Sequence, residues 1–165
     1  MPTDTFNNEV IVLLPKLRAY ARALTRNHAD SDDLVQDTLT KALRHHDRYT
    51  EGTKLKAWLF TIMRNTFYTS VKKRVRESPG AQDCVAGSVT VPPIHDTVIE
   101  YNEMLAAIDR LPTQYREMLI LVVMLGESYE NASAICDCAI GTVKSRVNRA
   151  RMMVVQDMER SASMA

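Results

Sequence analysis

Residues 77–98 constrain this chain more than any other stretch. They hold Pro79, Pro92, Pro93, Gly80 and Gly87, and they contain no leucine and no aromatic residue. Such a composition cannot bury enough apolar surface to offset the entropy of ordering, so the segment reads as a flexible linker. It splits the 165 residues into 1–76 and 99–165. Together they are large enough for one medium domain or two small ones.

Both halves carry helical spacing. In the first, Val10, Leu13, Leu14, Leu17, Ala21 and Leu24 recur at intervals of three and four. Pro15 falls inside that pattern and predicts a break or a fresh start beside it. A second helix is expected from Asp30 or Ser31, either of which can cap it, with Leu34, Val35, Leu39, Ala42 and Leu43 inward. A third runs from about Lys54 to Arg76, burying Leu55, Trp58, Leu59, Ile62, Met63, Phe67 and Val71. In the second half, Val98, Tyr101, Leu105 and Ile108 mark one helix. Pro112 opens another over Tyr115–Leu125, nearly all apolar and hence buried, which Gly126 ends. Two further helices, about 129–136 and 140–158, are joined by a turn too short for anything but a helix-turn-helix. No strand pattern and no repeat appears. The fold class is therefore all-α, as two small helical domains joined by a flexible linker.

Composition excludes several function classes. Hydrophobic residues are 45% and charged residues 25%, ordinary for a globular chain. The longest apolar run, Met118–Leu125, is far short of the roughly 18 residues a membrane helix needs. Residues 1–9 carry acids and amides rather than a basic, apolar leader, so no secretion and no membrane insertion are expected. The three cysteines, Cys84, Cys136 and Cys138, fit reduced thiols in a cytoplasm. A single C-x-C pair does not make a four-ligand metal site. His28, His45, His46 and His95 are scattered, and neither a nucleophile triad nor a glycine-rich phosphate loop is present. No enzyme, cofactor, metal or small-molecule substrate is expected.

Net charge is only +1, but charge is segregated. Asp30–Asp37 holds acids without a base, whereas Arg64–Arg76 and Lys144–Arg151 hold bases without an acid. Blocks of this kind point to separate faces for separate partners. In the last helix Val143, Val147, Ala150 and Val154 take the inward positions. Lys144, Ser145, Arg146, Asn148, Arg149 and Arg151 are left outside. A recognition helix enters the major groove by its N-terminal part, where Arg and Lys pair with guanine and Asn with adenine. The bland alternative is a solvated basic face; the tight turn and the short helix before it favour DNA. In the first half, Arg64, Lys72, Lys73, Arg74 and Arg76 stand near Asn65 and Tyr68, a mixture suited to single strands. Asp32, Asp33 and Asp37 can be read as carboxylates stabilised by a helix start. Gln36 and Asp37 lie beyond what a cap needs, which favours an acidic protein-docking face. A carboxylate metal site would want further ligands from elsewhere.

Taken together and in order, these segments resemble the extracytoplasmic-function (ECF) group of the sigma-70 family of RNA polymerase sigma factors. The residues that carry the resemblance are Asp32-Asp33-Leu34-Val35-Gln36-Asp37-Thr38 and Lys56-Ala57-Trp58-Leu59-Phe60-Thr61-Ile62-Met63-Arg64-Asn65. With them go Leu111-Pro112, Ser128-Tyr129-Glu130 and Gly141–Arg151. The resemblance implies a region-2 domain over 1–76, a linker over 77–98 that enters the polymerase channel, and a region-4 domain over 99–165. It implies that Asp32, Asp33, Gln36 and Asp37 dock on core polymerase. It places opening and reading of the minus-10 element at residues 48–54, including Arg48, Tyr49 and Lys54. Arg64, Asn65, Tyr68, Lys72, Lys73, Arg74 and Arg76 join them. Reading of the minus-35 element falls to Thr142, Lys144, Ser145, Arg146, Asn148, Arg149 and Arg151.

Within the family, Cys136–Thr142 and the Ser145–Arg151 run look most like the alphaproteobacterial general-stress-response (EcfG-type) factors. The resemblance then implies a NepR-type anti-sigma factor contacting both domains. Three departures stand out. Asn131 occupies a position often held by Glu and weakens a capping box begun by Ser128. Asp137 stands where Gly is common, and Ser133 where Ala is typical. Together they predict a somewhat less stable helix-turn-helix. The rival reading is a sigma-like decoy that captures the anti-sigma factor without binding DNA. It is disfavoured by the retained acids and recognition-helix bases, and because no receiver domain follows residue 165.

Overall fold

A computed structural model describes residues 2–50, 54–77 and 96–164. The linker expected over 77–98 is trimmed at both ends, because Glu77 belongs to the helix before it and Asp96–Val98 to the helix after it; residues 78–95 lie outside the described residues. Among the described residues every regular element is a helix. The chain divides into two units, one built around the first three helices and the other around the rest.

In the first unit, α1 spans Pro2–Thr25, α2 His28–Arg44 and α3 Leu55–Glu77, with a 3-10 turn at His46–Arg48. The three helices pack on one another around Leu17, Tyr20, Leu59, Phe60 and Met63, all fully buried. The rings of Tyr20 and Phe60 lie 4.9 Å apart. Lys41 Nζ donates to Thr66 Oγ1 at 3.0 Å and ties α2 to α3.

Four expectations for this unit are corrected. Pro15 does not break α1, which runs through it. The carbonyl deprived of its N–H partner belongs to Ile11, and Ile11 and Pro15 are both exposed, so water can take the place of the missing donor. The cap of α2 is neither Asp30 nor Ser31 but Asn27, whose side-chain oxygen accepts the Asp30 N–H at 3.2 Å. Arg26 makes the reversal possible by taking a left-handed backbone, φ 61°. Leu43 is exposed rather than inward. Phe60 joins the core unforeseen, while Trp58, Ile62 and Val71 are only half-buried.

In the second unit, α4 spans Asp96–Arg110, α5 Thr113–Leu119, α6 Tyr129–Cys136 and α7 Ile140–Met164. Both α4 and α5 pack on α7. The expected apolar helix over 115–125 is shorter and less buried than its composition implied. After Leu119 the backbone widens into a π turn at Ile120–Met124, with Leu125 N–H bonded to Ile120 C=O at 2.9 Å. Gly126 ends it at φ 69°. Val123 and Met124 emerge to solvent, and so does Tyr101 on α4. Conversely, Arg116 and Glu117 are buried in the middle of that helix. Arg116 Nη1 donates to the carbonyls of Leu111 at 2.9 Å and Asp109 at 3.4 Å. The guanidinium thus takes carbonyls that the end of α4 leaves without helical partners.

Candidate polymerase and nucleic-acid interfaces

The acidic segment sits on α2. Because Asn27 caps that helix, Asp30 is its first-turn acid. Asp32, Asp33 and Asp37 then start beyond the turn over which the helix dipole acts. A stabilising role at the helix start therefore does not explain them. All three are exposed, and so is Gln36. At about 100° per residue, Ser31, Leu34, Val35, Thr38 and Ala42 face the core. Asp33, Gln36, Asp37, Thr40, Leu43 and Arg44 make up the opposite face, and Asp32 lies at its edge. The result is an acidic stripe with an exposed leucine at its far end. Sequence reasoning missed Leu43, because its spacing from Leu39 and Ala42 looked like core.

The minus-10 candidates come from two elements. Arg48 and Lys54 are exposed, and residues 51–53 between them lie outside the described residues. Tyr49 is half-buried in a group of rings. Its centroid lies 5.8 Å from Phe6 and 5.5 Å from Trp58, while Phe6 is 6.4 Å from both Trp58 and His46. On α3, Arg64, Asn65, Tyr68 and Lys72 fall on one stripe, opposite Leu59, Met63 and Thr66. Arg76 flanks the stripe; Lys73 and Arg74 turn away from it, and Lys73 makes an exposed ion pair with Glu77 at 3.9 Å. Arg64 is half-buried, with its guanidinium carbon 4.6 Å from the Tyr68 ring centroid. Tyr68 meets Phe67 edge to face at 5.1 Å. One cation and one ring are thus already stacked on the face expected to hold unpaired bases.

The helix-turn-helix is present, with its first helix as expected and its second running past the expected 158 to Met164. Asp137 takes the left-handed turn position at φ 48°. Each remaining departure from the family pattern forms a bond that its spacing alone did not announce. The Ser133 hydroxyl donates to the Cys138 carbonyl, and Cys138 N–H returns a bond to Ser133 C=O at 3.2 Å. Ser128 Oγ still accepts the Asn131 N–H at 3.1 Å, so half of the capping box survives. The Asn131 amide donates to the buried carboxylate of Glu127 at 2.9 Å, which a Glu at 131 could not do while ionised. The expected loss of stability therefore has compensations.

On α7, Val143, Val147 and Ala150 are fully buried and Val154 nearly so. Ser145, Asn148 and Arg149 point most directly outward, with Lys144 and Arg151 on one flank. Thr142 and Arg146 form the other flank and are half-buried, so Arg146 does not face squarely out as expected. Two bases are held by rings of other helices. Lys144 Nζ lies 5.8 Å from the Tyr129 ring centroid, and Arg149 Nη1 donates to the Tyr115 hydroxyl at 3.4 Å. The hydrogen bond to the Tyr115 hydroxyl pushes the Arg149 guanidinium above its already high ordinary pKa. Arg149 is a cation at every working pH.

Among the described residues, no group of three or more His, Cys, Asp or Glu side chains could hold a metal. Cys136 is buried and Cys138 half-buried, and neither is in a disulfide; Cys84 lies outside the described residues. No described helix is long and apolar enough to cross a membrane.

Residues 11–77 match the family model of sigma-70 region 2, and residues 101–154 match that of sigma-70 region 4. The ECF RNA polymerase sigma factor EcfG of Rhodopseudomonas palustris is 47% identical over 149 residues, covering 90% of this chain and 82% of that one. The ECF sigma factor SigC of Mycobacterium tuberculosis is 34% identical over 134 residues, covering 78% of this chain and 70% of that one. Among solved structures, the sigma factor RpoE of Bartonella quintana, crystallised with the anti-sigma factor NepR, superposes with a TM-score of 0.81. It is 42% identical, over 94% of this chain and 97% of that chain. Sigma factors initiate transcription without being enzymes, and with both regions and the EcfG likeness in place, this chain belongs to the ECF group of the sigma-70 family of RNA polymerase sigma factors.

Proposed function

We propose that the two regions divide the work of promoter use as follows. Residues 1–76 dock on core polymerase through Asp32, Asp33, Gln36 and Asp37. They open and read the minus-10 element through Arg48, Tyr49, Lys54, Arg64, Asn65, Tyr68, Lys72, Lys73, Arg74 and Arg76. Residues 99–165 read the minus-35 element through Thr142, Lys144, Ser145, Arg146, Asn148, Arg149 and Arg151, and residues 77–98 link the two. The regulon is that of the general stress response, and the protein works in the cytoplasm. A NepR-type anti-sigma factor holds it inactive by contacting both regions. Support for this last assignment comes from the 42% identical Bartonella quintana factor, whose crystal contains NepR.

The observation that carries the docking assignment is the exposed stripe of Asp33, Gln36 and Asp37 on a helix whose cap, Asn27, leaves those acids without a local structural role. The test is reconstituted transcription with core polymerase on a promoter library. Wild-type protein should direct initiation from templates sharing two spaced elements. A folded Asp33→Arg, Asp37→Arg variant that transcribes normally would overturn the docking assignment.

A further inference from the structure

Arg149 leaves the exposed face of α7, yet its tip is met by a side chain from another helix. Its Nη1 donates to the Tyr115 hydroxyl at 3.4 Å, across 34 positions of sequence. Tyr115 sits in the first turn of α5, which packs on α7. That turn is itself fixed. Tyr115 N–H is bonded to Pro112 C=O at 3.0 Å, and the next residue, Arg116, is fully buried with its guanidinium on the carbonyls of Leu111 and Asp109. The Tyr115 ring is half-buried, so its hydroxyl is presented from a held position beside an exposed cation. Lys144, the other base met by a ring, is treated differently. Its Nζ lies 5.8 Å from the Tyr129 centroid, and a ring face attracts an ammonium without fixing its direction. A hydrogen bond to a hydroxyl oxygen is directional.

Resting on the minus-35 assignment above, we infer that Tyr115 is a positioning residue for reading of the upstream element: its hydroxyl aims the Arg149 guanidinium at the base edge that Arg149 reads. Tyr115 touches no nucleotide in this scheme. A long exposed arginine samples many rotamers and must lose that freedom to pair with both acceptors of a guanine edge. A tether at its tip removes part of that loss before DNA arrives. The bond takes one N–H of Nη1, and the planar fork has further donors for the base. At 3.4 Å the tether narrows the choice of rotamers without locking it, so a moderate effect is expected. The fold does not call for a hydroxyl at position 115. The core of this unit is made of buried apolar side chains such as Met118, Leu119, Val147 and Ala150.

The test compares holoenzymes carrying wild-type protein, Tyr115→Phe, Arg149→Ala or both substitutions, on a promoter library randomised in the minus-35 element. Tyr115→Phe removes the hydroxyl and keeps the ring, so folding and core-polymerase binding should stay unchanged. It should lower discrimination roughly 3- to 10-fold, at the base position where Arg149→Ala also lowers it. In the Arg149→Ala background, Tyr115→Phe should have no further effect on preference, because the side chain it aims is gone. A uniform loss on all upstream sequences would mark the hydroxyl as structural or as a phosphate contact and overturn the inference. So would an effect of Tyr115→Phe on preference that persists in the Arg149→Ala background. If Arg149→Ala changes the preference and Tyr115→Phe does not, the inference fails while the minus-35 assignment stands. If neither changes it, the inference fails together with the assignment of Arg149 to that element.

Discussion

The Ser133 hydroxyl donates to the carbonyl of Cys138, across the turn that joins α6 to α7. With the return bond from Cys138 N–H, it closes a small ring around Asp137, the residue in left-handed backbone. Ser133→Ala should therefore destabilise the second unit by about 0.5–1.5 kcal/mol, the net contribution of an ordinary hydrogen bond. Urea denaturation measures this, and core-polymerase binding through α2 should be untouched. An unchanged midpoint would mean that the bond contributes nothing and that serine is tolerated there simply as a small residue.

The acids of α2 should separate function from stability. Asp33→Arg plus Asp37→Arg is expected to abolish core-polymerase binding in a native-gel or pull-down assay. Since both residues are exposed and lie beyond the first turn, the stability change should stay within about 0.5 kcal/mol. Leu43→Ala, at the far end of the same face, should weaken docking without loss of stability, because that side chain is already exposed.

Tyr68 presents a half-buried ring on the same stripe as Asn65 and Lys72. Stacking of a base on an aromatic ring is typically about 1–3 kcal/mol. Tyr68→Ala should slow strand opening by roughly 10- to 100-fold on duplex promoters, as read by permanganate footprinting or a fluorescent base at the opening site. Tyr68→Phe should retain most of the rate. Equal rates for all three proteins would remove Tyr68 from the opening step.

The free protein is expected to bind duplex DNA weakly. Its net charge is +1, and its bases are spread over two small faces. Phosphate contacts supply most non-specific affinity, so few bases give weak binding and a shallow salt dependence. Gel-shift titrations at two salt concentrations, with and without core polymerase, measure this. Tight and sequence-specific binding by the free chain would describe a repressor rather than a sigma factor.

Much of this architecture was legible in the sequence, because amphipathic spacing is a local property. The stripes of α2 and α3, the short helix-turn-helix turn and the stop at Gly126 all follow from residues within a few positions of one another. What was not legible depends on which side of an element meets its neighbour. Pro15 looked like a break, but it sits on the wet side of α1. Leu43 looked like core but is turned outward. Arg116 and Glu117 sit inside a buried helix, where Arg116 is held by carbonyls that only the folded chain brings near. At the candidate sites, the exposure of Asp33, Gln36, Asp37, Asn148 and Arg149 matches the periodicity. The ring cluster of Phe6, Tyr49 and Trp58 joins residues more than 40 positions apart, and no local pattern announces it.

The central claim is that α2 docks the polymerase while α7 reads the upstream element. Its most direct test is transcription by reconstituted holoenzyme from a library randomised in that element, with Arg146→Ala, Arg149→Ala and Lys144→Ala compared with wild type. An arginine paired with a guanine edge gives about 1–3 kcal/mol of discrimination, so losing it should change which sequences are preferred. A base that contacts only phosphate weakens all sequences alike and lowers the salt slope by about one. Arg149, exposed and fully charged, should shift the preference most, and Arg146, half-buried on the flank, less. The expected result is a changed upstream sequence with undiminished core binding. Unchanged use of every upstream sequence, together with lost binding of the anti-sigma factor, would show that α7 serves a protein partner instead and would contradict the claim.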